Sequence, residues 1–250
     1  FRQAWLTAQD GDEKHALELF GKVPSAERNA LFLFERGTLT LRTGRHKEAY
    51  LDLQAALAAE PDMLPAYDAL TDVLIAEGRS DELKKSLKQH IAEQRFVGFC
   101  WAKLAELHAR HDELEPALAA GLEALDEGVT DPGLIMLCAQ LLERAARFDE
   151  AEALLMRLPG GGCGGGVHPM LAEYWLRRGQ NLDRALESFK GALRQETDNP
   201  RWLLRIAQVY LAKGWQKEAS QQIERLMTQG GLPEQIRAEV RSLADQLQQG

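Results

Sequence analysis

The sequence predicts an all-α fold, a solenoid in which antiparallel helix pairs stack one on the next. Three observations lead to this prediction. Similar residues recur with a period of 34, a turn former stands at a fixed place within most periods, and apolar residues spaced three and four apart flank that turn. A chain of 250 residues with 45% hydrophobic content has ample material for such a stack.

The period is visible as a column of small residues. Stepping by 34 from Ala49 gives alanine at five of six positions, and a second column four residues further on is apolar except at Gly121. A small residue lets two helix backbones approach, and the larger residue one turn later fills the groove beside it. These columns therefore predict one buried helix face. The small column is Ala49, Leu83, Ala117, Ala151, Ala185 and Ala219, and the large column is Leu53, Leu87, Gly121, Leu155, Phe189 and Ile223.

A junction between two helices precedes each small residue by five positions. The junction column is Gly44, Gly78, Asp112, Ala146, Gln180 and Gly214, with a turn former in four of the six places. Upstream of it, large apolar residues recur at Leu33, Tyr67, Trp101, Ile135 and Leu203. Each period therefore predicts two amphipathic helices, neither of which buries its apolar face without the neighbouring pair.

The period that begins at Ala30 carries the fullest set of these residues. Its large, small, turn, small, large, small and proline positions are Leu33, Gly37, Gly44, Ala49, Leu53, Ala56 and Pro61. In this pattern the chain resembles the tetratricopeptide repeat family over nearly its whole length. The resemblance implies a right-handed superhelix that holds another protein.

The same resemblance divides the chain into units of a single solenoid, 1–250. Gly11, Ala16 and Phe20 indicate a partial repeat, and the apolar spacing from Ile236 to Leu247 indicates a helix that caps the end. A glycine-rich segment at 159–166 keeps the period intact and is expected to be an inter-repeat connection, either a hinge or a plain surface loop. The predicted units are a partial repeat at 1–29, about six full repeats at 30–63, 64–97, 98–131, 132–165, 166–199 and 200–231, and a capping helix at 233–249.

Two repeats depart from the family pattern. The repeat at 98–131 has His108 where an aromatic or large apolar residue is usual, so we expect looser packing there. The repeat at 166–199 has Pro169 near the start of its first helix and Glu173 where the family prefers a small residue. We expect that first helix to be short.

Charge and hydropathy exclude two classes of partner. The formal net charge of -8 argues against nucleic acid, because phosphate binding requires a basic face. No stretch approaches the roughly 18 uninterrupted apolar residues of a membrane-spanning helix, so we expect no membrane insertion of this segment. The chain begins at Phe1 without a signal-peptide pattern, and we expect that an upstream segment has been removed.

Composition also indicates a source and a compartment. The content of alanine, leucine and arginine is typical of a bacterial protein. Cys100 and Cys138 lie in apolar helical patterns and Cys163 lies in the glycine-rich segment, with no Cys-x-x-Cys spacing. Free thiols favour the cytoplasm over the periplasm.

The sequence carries no typical motif for catalysis, metal binding or phosphate binding. His108 and His111 lie three residues apart, but the His-Glu-x-x-His pattern of zinc peptidases is absent. The glycine-rich segment lacks the Lys-Ser or Lys-Thr ending of a P-loop. Since the repeat columns use nearly the whole chain, we expect no enzyme activity, no cofactor and no metal.

The binding surface is expected on the first helix of each pair. Successive units rotate slightly, so the stack curves and its first helices line the concave side. Apolar and polar residues mixed on this face suit an extended peptide or a helix in a groove, although Phe34, Met136 and Met170 would alternatively just complete the core. The predicted peptide-binding residues are Phe34, Thr38, Asp72, Glu106, Met136, Gln140, Met170, Tyr174, Arg177, Arg201, Leu204 and Gln208.

The C-terminal part is the basic part of the chain. Residues 167–250 carry twelve Lys and Arg against ten Asp and Glu, and Arg177, Arg178, Arg201 and Arg205 fall on the last two first helices. Converging guanidinium groups would bind an acidic segment, and ordinary solvation is the alternative. Some family members hold a C-terminal carboxylate with Lys and Asn, but Asp72 occupies that face here.

The sequence therefore predicts a non-catalytic scaffold or adaptor for protein–protein interaction, without cofactor. The alternative is the non-catalytic arm of a larger enzyme or of a cell-envelope assembly or secretion protein. A self-assembling stack is a third possibility. The identity of the partner is not encoded in any motif.

Overall fold

The computed structural model describes residues 1–159, 167–197 and 199–249, without the side chains of 248 and 249. Within these residues the fold is all-α, with fifteen α-helices, one 3-10 helix at Ser25–Glu27 and no strand. None of the described helices has the length and apolar character needed to cross a bilayer. The α-helices are α1 (Arg2–Gln9), α2 (Glu13–Gly21), α3 (Ala30–Arg42), α4 (His46–Ala59), α5 (Leu64–Ala76), α6 (Ser80–Ala92), α7 (Val97–Arg110), α8 (Leu114–Asp126), α9 (Pro132–Arg144), α10 (Phe148–Leu155), α11 (Pro169–Arg178), α12 (Leu182–Gln195), α13 (Pro200–Ala212), α14 (Gln216–Thr228) and α15 (Glu234–Gln249).

The helices pack in consecutive pairs within two compact units. Unit 1 spans Phe1–Val129 with α1 to α8, and unit 2 spans Thr130–Gly250 with α9 to α15. In both units each odd-numbered helix from α1 to α13, here called a first helix, packs against the even-numbered second helix that follows it. Neighbouring first helices also meet, as α3 meets α5 in unit 1 and α11 meets α13 in unit 2. The predicted all-α helical repeat fold is confirmed.

The two columns found in the sequence form the centre of this packing. All six members of the small column are 0% exposed, including Leu83, the one member that is not alanine. In the large column Leu53, Leu87 and Phe189 are also 0% exposed, and Gly121 is buried too. Because both columns are buried on the second helices, the prediction that they share a buried face is confirmed.

Helix starts follow local chemistry. Asn29 caps α3, where its side-chain Oδ1 accepts a hydrogen bond from the backbone N–H of Phe32 at 2.9 Å. Asp131 caps α9 in the same way, accepting from the N–H of Leu134 at 2.8 Å. A side-chain oxygen at this place satisfies one of the four backbone donors that a helix start leaves unpaired.

The turns after the first helices use the left-handed backbone region. Five members of the predicted junction column have positive φ, from 57° at Ala146 to 75° at Gly44. Gln180 does not, and its neighbours Gly179 (φ 63°) and Asn181 (φ 47°) take that conformation instead. A left-handed residue after a helix returns backbone N–H groups to the last carbonyls. Gln180 still lies in the junction, between the end of α11 at Arg178 and the start of α12 at Leu182.

Two predictions about individual helices can be compared with the structure. Helix α11 has 10 residues, against 13 or 14 in the first helices from α3 to α9 and in α13, so the short helix expected after Pro169 is confirmed. Helix α15 packs Val240 and Leu243 onto a cluster that contains Leu203 and Leu226 of the preceding pair. Gly160 to Gly166 lie outside the described residues, so the nature of that connection and the unit boundaries stay predictions.

Candidate binding surfaces

The first helices of unit 1 carry four of the predicted binding residues. Phe34 and Thr38 lie on α3, and both are half-buried. The Thr38 hydroxyl donates to the carbonyl oxygen of Glu35 at 2.9 Å, so its hydrogen bond is made within its own helix. Because Phe34 is only half-buried, it packs against the unit and also presents part of its side chain to solvent.

Asp72 on α5 and Glu106 on α7 are both exposed and face a shared basic residue. Lys103 Nζ lies 2.9 Å from Asp68 Oδ1, and the charges of Glu106 and Asp72 also act on it. Burial would lower the pKa of Lys103, but these carboxylates, Asp68 first, raise it above its ordinary value.

The carboxyl group of Asp72 responds to the same surroundings. Burial raises the pKa of Asp72, the positive charge of Lys103 opposes the rise, and the negative charge of Asp68 adds to it. Asp72 is exposed along much of its side chain, while its neighbours withdraw part of the carboxyl group from water. This part of the face thus holds closely spaced acids around one lysine.

An apolar cavity between α1 and α3 was not predicted. It has a volume of about 260 Å³ and is lined by Phe1, Arg2, Trp5, Leu31 and Glu35. Phe1 is 37% exposed, Trp5 36% and Leu31 46%. The sequence held a signal for part of this cavity. A shift of 33 residues aligns Gly11 with Gly44, and the same shift aligns Phe1 with Phe34 and Trp5 with Thr38, two of the predicted binding residues.

In unit 2 the predicted residues on α9 and on the start of α11 remain accessible. Met136 and Met170 are half-buried, and Gln140 is exposed. Each methionine therefore contributes to the packing of its helix and also to its surface. Because methionine is flexible and polarizable, it adapts to partner surfaces of different shape.

Tyr174 and Leu204, by contrast, lie in the core. Each is 1% exposed. The Tyr174 hydroxyl donates to the carbonyl oxygen of Phe148 at 2.8 Å, which ties α11 to α10. Leu204 belongs to the cluster that also holds Ile223 and Leu226 of α14. As folded, neither side chain offers surface to a partner.

The arginines predicted to bind an acidic segment already have carboxylate partners. Arg177 Nη2 lies 2.7 Å from Glu143 Oε1. Arg201 Nη2 donates to Glu173 Oε1 at 2.6 Å, and Arg205 Nε lies 3.5 Å from the same oxygen. Glu173 is 8% exposed, so the carboxylate that departs from the family pattern is a buried counterion.

The two remaining predicted groups on this face are also engaged. Gln208 Oε1 accepts a hydrogen bond from Arg205 Nη1 at 2.9 Å. The guanidinium carbon of Arg178 lies 3.8 Å from the ring centroid of Phe148. The arginines Arg177, Arg201 and Arg205 therefore do not form a free group, because α9 and α11 supply the carboxylates of Glu143 and Glu173 to them.

Residues that could support chemistry are bound into the packing. Among the described residues no group of three or more His, Cys, Asp and Glu is placed to hold a metal ion. His108 Nδ1 makes a short contact to a carboxylate oxygen of Glu113. Burial raises the pKa of the Cys100 thiol to about 12 and that of the Cys138 thiol to about 11, so neither is poised as a nucleophile.

Comparison with known protein families decides the identity of these helix pairs. A family model described as tetratricopeptide repeat matches residues 13–158, more than half of the chain, and a second model of the same description matches residues 176–238. The chain belongs to the tetratricopeptide repeat family. A tetratricopeptide repeat fold suggests, as a broad function, a scaffold for protein–protein interaction.

Relatives of known sequence or structure share parts of this fold. The human Protein O-mannosyl-transferase TMTC1 is 27% identical over 125 residues, which is 50% of this chain and 14% of that protein. The C-terminal part of a TPR repeat-containing protein from Cytophaga hutchinsonii has a TM-score of 0.64 at 11% identity, over 96% of this chain and 98% of that one. The APC/C hetero-tetramer Cut9-Hcn1 gives 0.58 at 14% identity, over 95% and 47%. At these identities the structural likeness shows the fold alone.

Proposed function

We propose that this tetratricopeptide repeat chain is a non-catalytic scaffold whose first helices bind a peptide or helix of a partner protein. The observation that carries the proposal is the cavity between α1 and α3. There Trp5 and Leu31 stay more than one third exposed beside an apolar space of about 260 Å³. Large apolar groups grouped in this way around a cavity are typical of interaction surfaces.

The chemistry of this cavity favours an apolar anchor with polar flanks. Burying an apolar side chain there would contribute roughly 25 cal/mol per Å² of apolar area removed from water. Arg2 and Glu35 supply one charge of each sign at the cavity wall, which would orient the backbone of a bound segment. Asp72 and Glu106, on α5 and α7 of the same unit, favour a basic residue elsewhere in the same partner.

In unit 2 the proposed contact residues are those that remain accessible on the first helices. Met136, Gln140 and Met170 fit this role. Tyr174 and Leu204 are left out of the proposed surface because they are buried. Arg177, Arg201 and Gln208 would contribute only by exchanging their present partners for groups of the bound protein.

A second candidate is that the chain is the binding arm of a larger protein, as the sequence also suggested. The relation to TMTC1 favours this candidate, because the matching part of that transferase is 14% of its length. In this candidate the helix pairs keep the binding role proposed above and any catalytic activity belongs to another part of the protein. The predicted bacterial source rests on composition alone.

A peptide-display selection against the immobilised protein tests the proposal. We expect selected peptides to share one large apolar residue and to lose at least about tenfold in affinity for a Leu31→Glu variant, since the substitution places a charge in an apolar contact. Leu51→Glu is the matched control, because Leu51 on the second helix α4 is 65% exposed. Equal binding of the selected peptides to the two variants, or failure to select any peptide, would refute the proposed surface.

A further inference from the structure

The second helices of unit 2 carry a basic cavity that the first-helix surface does not include. Its volume is about 350 Å³. Lys190, Leu193 and Arg194 from α12, Thr197 after the end of α12, and Arg225 from α14 line it. Three cations, one hydroxyl group and one apolar side chain therefore share a single concave space, and no carboxylate is among these lining residues.

The two arginines of this cavity have no counterion in the part of the chain that the structure describes. Neither Arg194 nor Arg225 makes an ion pair or a side-chain hydrogen bond there. Lys190 Nζ does lie 3.3 Å from Glu187 Oε1, but both side chains are well exposed, at 38% and 67%. Exposed pairs of this kind hold their partners weakly, so Lys190 remains available to another anion.

The contrast with the first helices of the same unit makes this cavity distinctive. There Arg177 is paired with Glu143, and Arg201 and Arg205 are paired with Glu173. The positive charge that the C-terminal part of the sequence carries is thus neutralised on the first helices. On the second helices, the positive charges of Arg194 and Arg225 have no carboxylate partner among the described residues, and both side chains line one cavity.

An apolar surface adjoins these charges. Leu193 is half-buried and packs against the cluster formed by Leu203, Leu226 and their neighbours. A ligand that reaches the arginines would also meet the side chain of Leu193. The combination suits a ligand that carries an anionic group beside an apolar one.

We propose that this cavity binds an acidic segment of a partner protein. A carboxylate side chain of that segment is received by Arg194 and Arg225, and an apolar side chain next to it rests on Leu193. Charge-assisted bonds from guanidinium to carboxylate are among the stronger hydrogen bonds in proteins. This site goes beyond the first-helix surface and does not depend on it, since no residue is common to both.

A protein segment fits this cavity better than a nucleic acid does. Nucleic-acid binding draws on a basic stripe that neutralises several phosphates, whereas this chain has a net charge of -8 and here offers one compact basic cavity. Leu193 adds an apolar contact that a phosphate backbone would not use. The anion is therefore assigned to carboxylate side chains of a polypeptide.

Fluorescence anisotropy with the whole chain tests this site. The probe is a labelled peptide of glutamate residues with a central leucine and blocked ends, measured at low and at physiological ionic strength. We expect the double variant Arg194→Glu, Arg225→Glu to weaken binding by at least about tenfold. The matched control, Lys217→Glu with Arg241→Glu, changes the net charge equally at exposed positions outside the cavity and is expected to stay within about twofold.

Three further arms make the result decisive. The same peptide with glutamine in place of glutamate is expected not to bind, and binding of the glutamate peptide should fall with added salt. A Leu31→Glu variant is expected to bind the probe as the wild type does, which separates this site from the first-helix surface. The proposal is overturned if the wild type does not bind the probe, if both double variants weaken equally, if the glutamine peptide binds as well, or if a single-stranded oligonucleotide binds more tightly at these arginines.

Discussion

Gly37 is the position where adding one methyl group should show how closely the helix pairs are packed. A Cβ placed on this residue of α3 would lie 2.9 Å from Leu53 Cγ, 3.1 Å from Leu53 Cδ2 and 3.3 Å from Asp52 Cβ. Leu53 is 0% exposed, and Asp52 is held by Arg36, whose Nε donates to Asp52 Oδ2 at 2.6 Å. Neither neighbour is free to move aside.

The expected magnitude follows from two opposing effects of Gly37→Ala. Alanine in a helix interior is favoured over glycine by about 1 kcal/mol, while an extra methyl group in a packed core costs about 1–3 kcal/mol. The net expectation is a loss of up to about 2 kcal/mol in the free energy of unfolding. Gly191→Ala in α12 is the matched control, because there the nearest atom to the new Cβ is Arg194 Nη2 at 3.6 Å.

Chemical denaturation compares the two variants. We expect Gly37→Ala to unfold at lower urea concentration than the wild type when helix content is followed by circular dichroism. Gly191→Ala should gain roughly 0.5–1 kcal/mol, since it keeps the gain in helix propensity without the clash. Because stacked repeats depart from two-state unfolding, hydrogen exchange of the α3 and α4 amides should locate the loss. A Gly37→Ala variant that gains as much stability as Gly191→Ala would refute the packing explanation.

Three further predictions concern buried or partly buried groups. Glu173→Gln should lower the free energy of unfolding, measured by urea titration, by about 1–3 kcal/mol. The reason is that the substitution removes a buried counterion from two arginines, which retain some access to water. An unchanged urea midpoint would contradict this prediction. In a Cys163→Ser variant, Cys100 and Cys138 should react with Ellman's reagent at pH 8 only as fast as the protein unfolds. The reason is that burial raises the pKa of both thiols. Rapid stoichiometric reaction would instead show that the thiols are accessible. The pKa of Asp72 is raised in the folded state, so the carboxyl group of Asp72 binds a proton more tightly in the folded protein than in the unfolded chain. The contribution of Asp72 to stability therefore increases as pH falls from the folded pKa towards the ordinary pKa of aspartate. Asp72→Asn should remove that increase, and a pH profile of stability identical to the wild type would contradict the assignment.

The binding surfaces differ in how much of each could be read from the sequence. The register placed Phe34 and Gln140 on the first helices, and the structure leaves both at least partly exposed. It placed Tyr174 and Leu204 on the same face, where the structure buries them. A residue's position on a helix fixes the direction in which its side chain leaves the axis, whereas its burial depends on how closely the next helix pair approaches.

The basic cavity shows the same division. The excess of basic residues after position 166 was visible in the sequence, but the sequence did not indicate which arginines would be paired. That depends on side chains about 30 residues apart, such as Glu173 and Arg201, being brought within hydrogen-bond distance by the stacking of α11 on α13. Arg194 and Arg225 stay without such a partner in the described structure.

The sequence by itself determined the helix pairs, their 34-residue period and the small columns at their centre, because these depend on local periodicity and on the volume of single residues. The tertiary structure alone decided three things: that Glu173 is a buried counterion, that Trp5 and Leu31 border a cavity, and that Arg194 and Arg225 line one cavity without a counterion among the described residues. Each of these depends on contacts between neighbouring pairs. Such contacts are set by the packing of whole helices, which no repeat pattern specifies residue by residue.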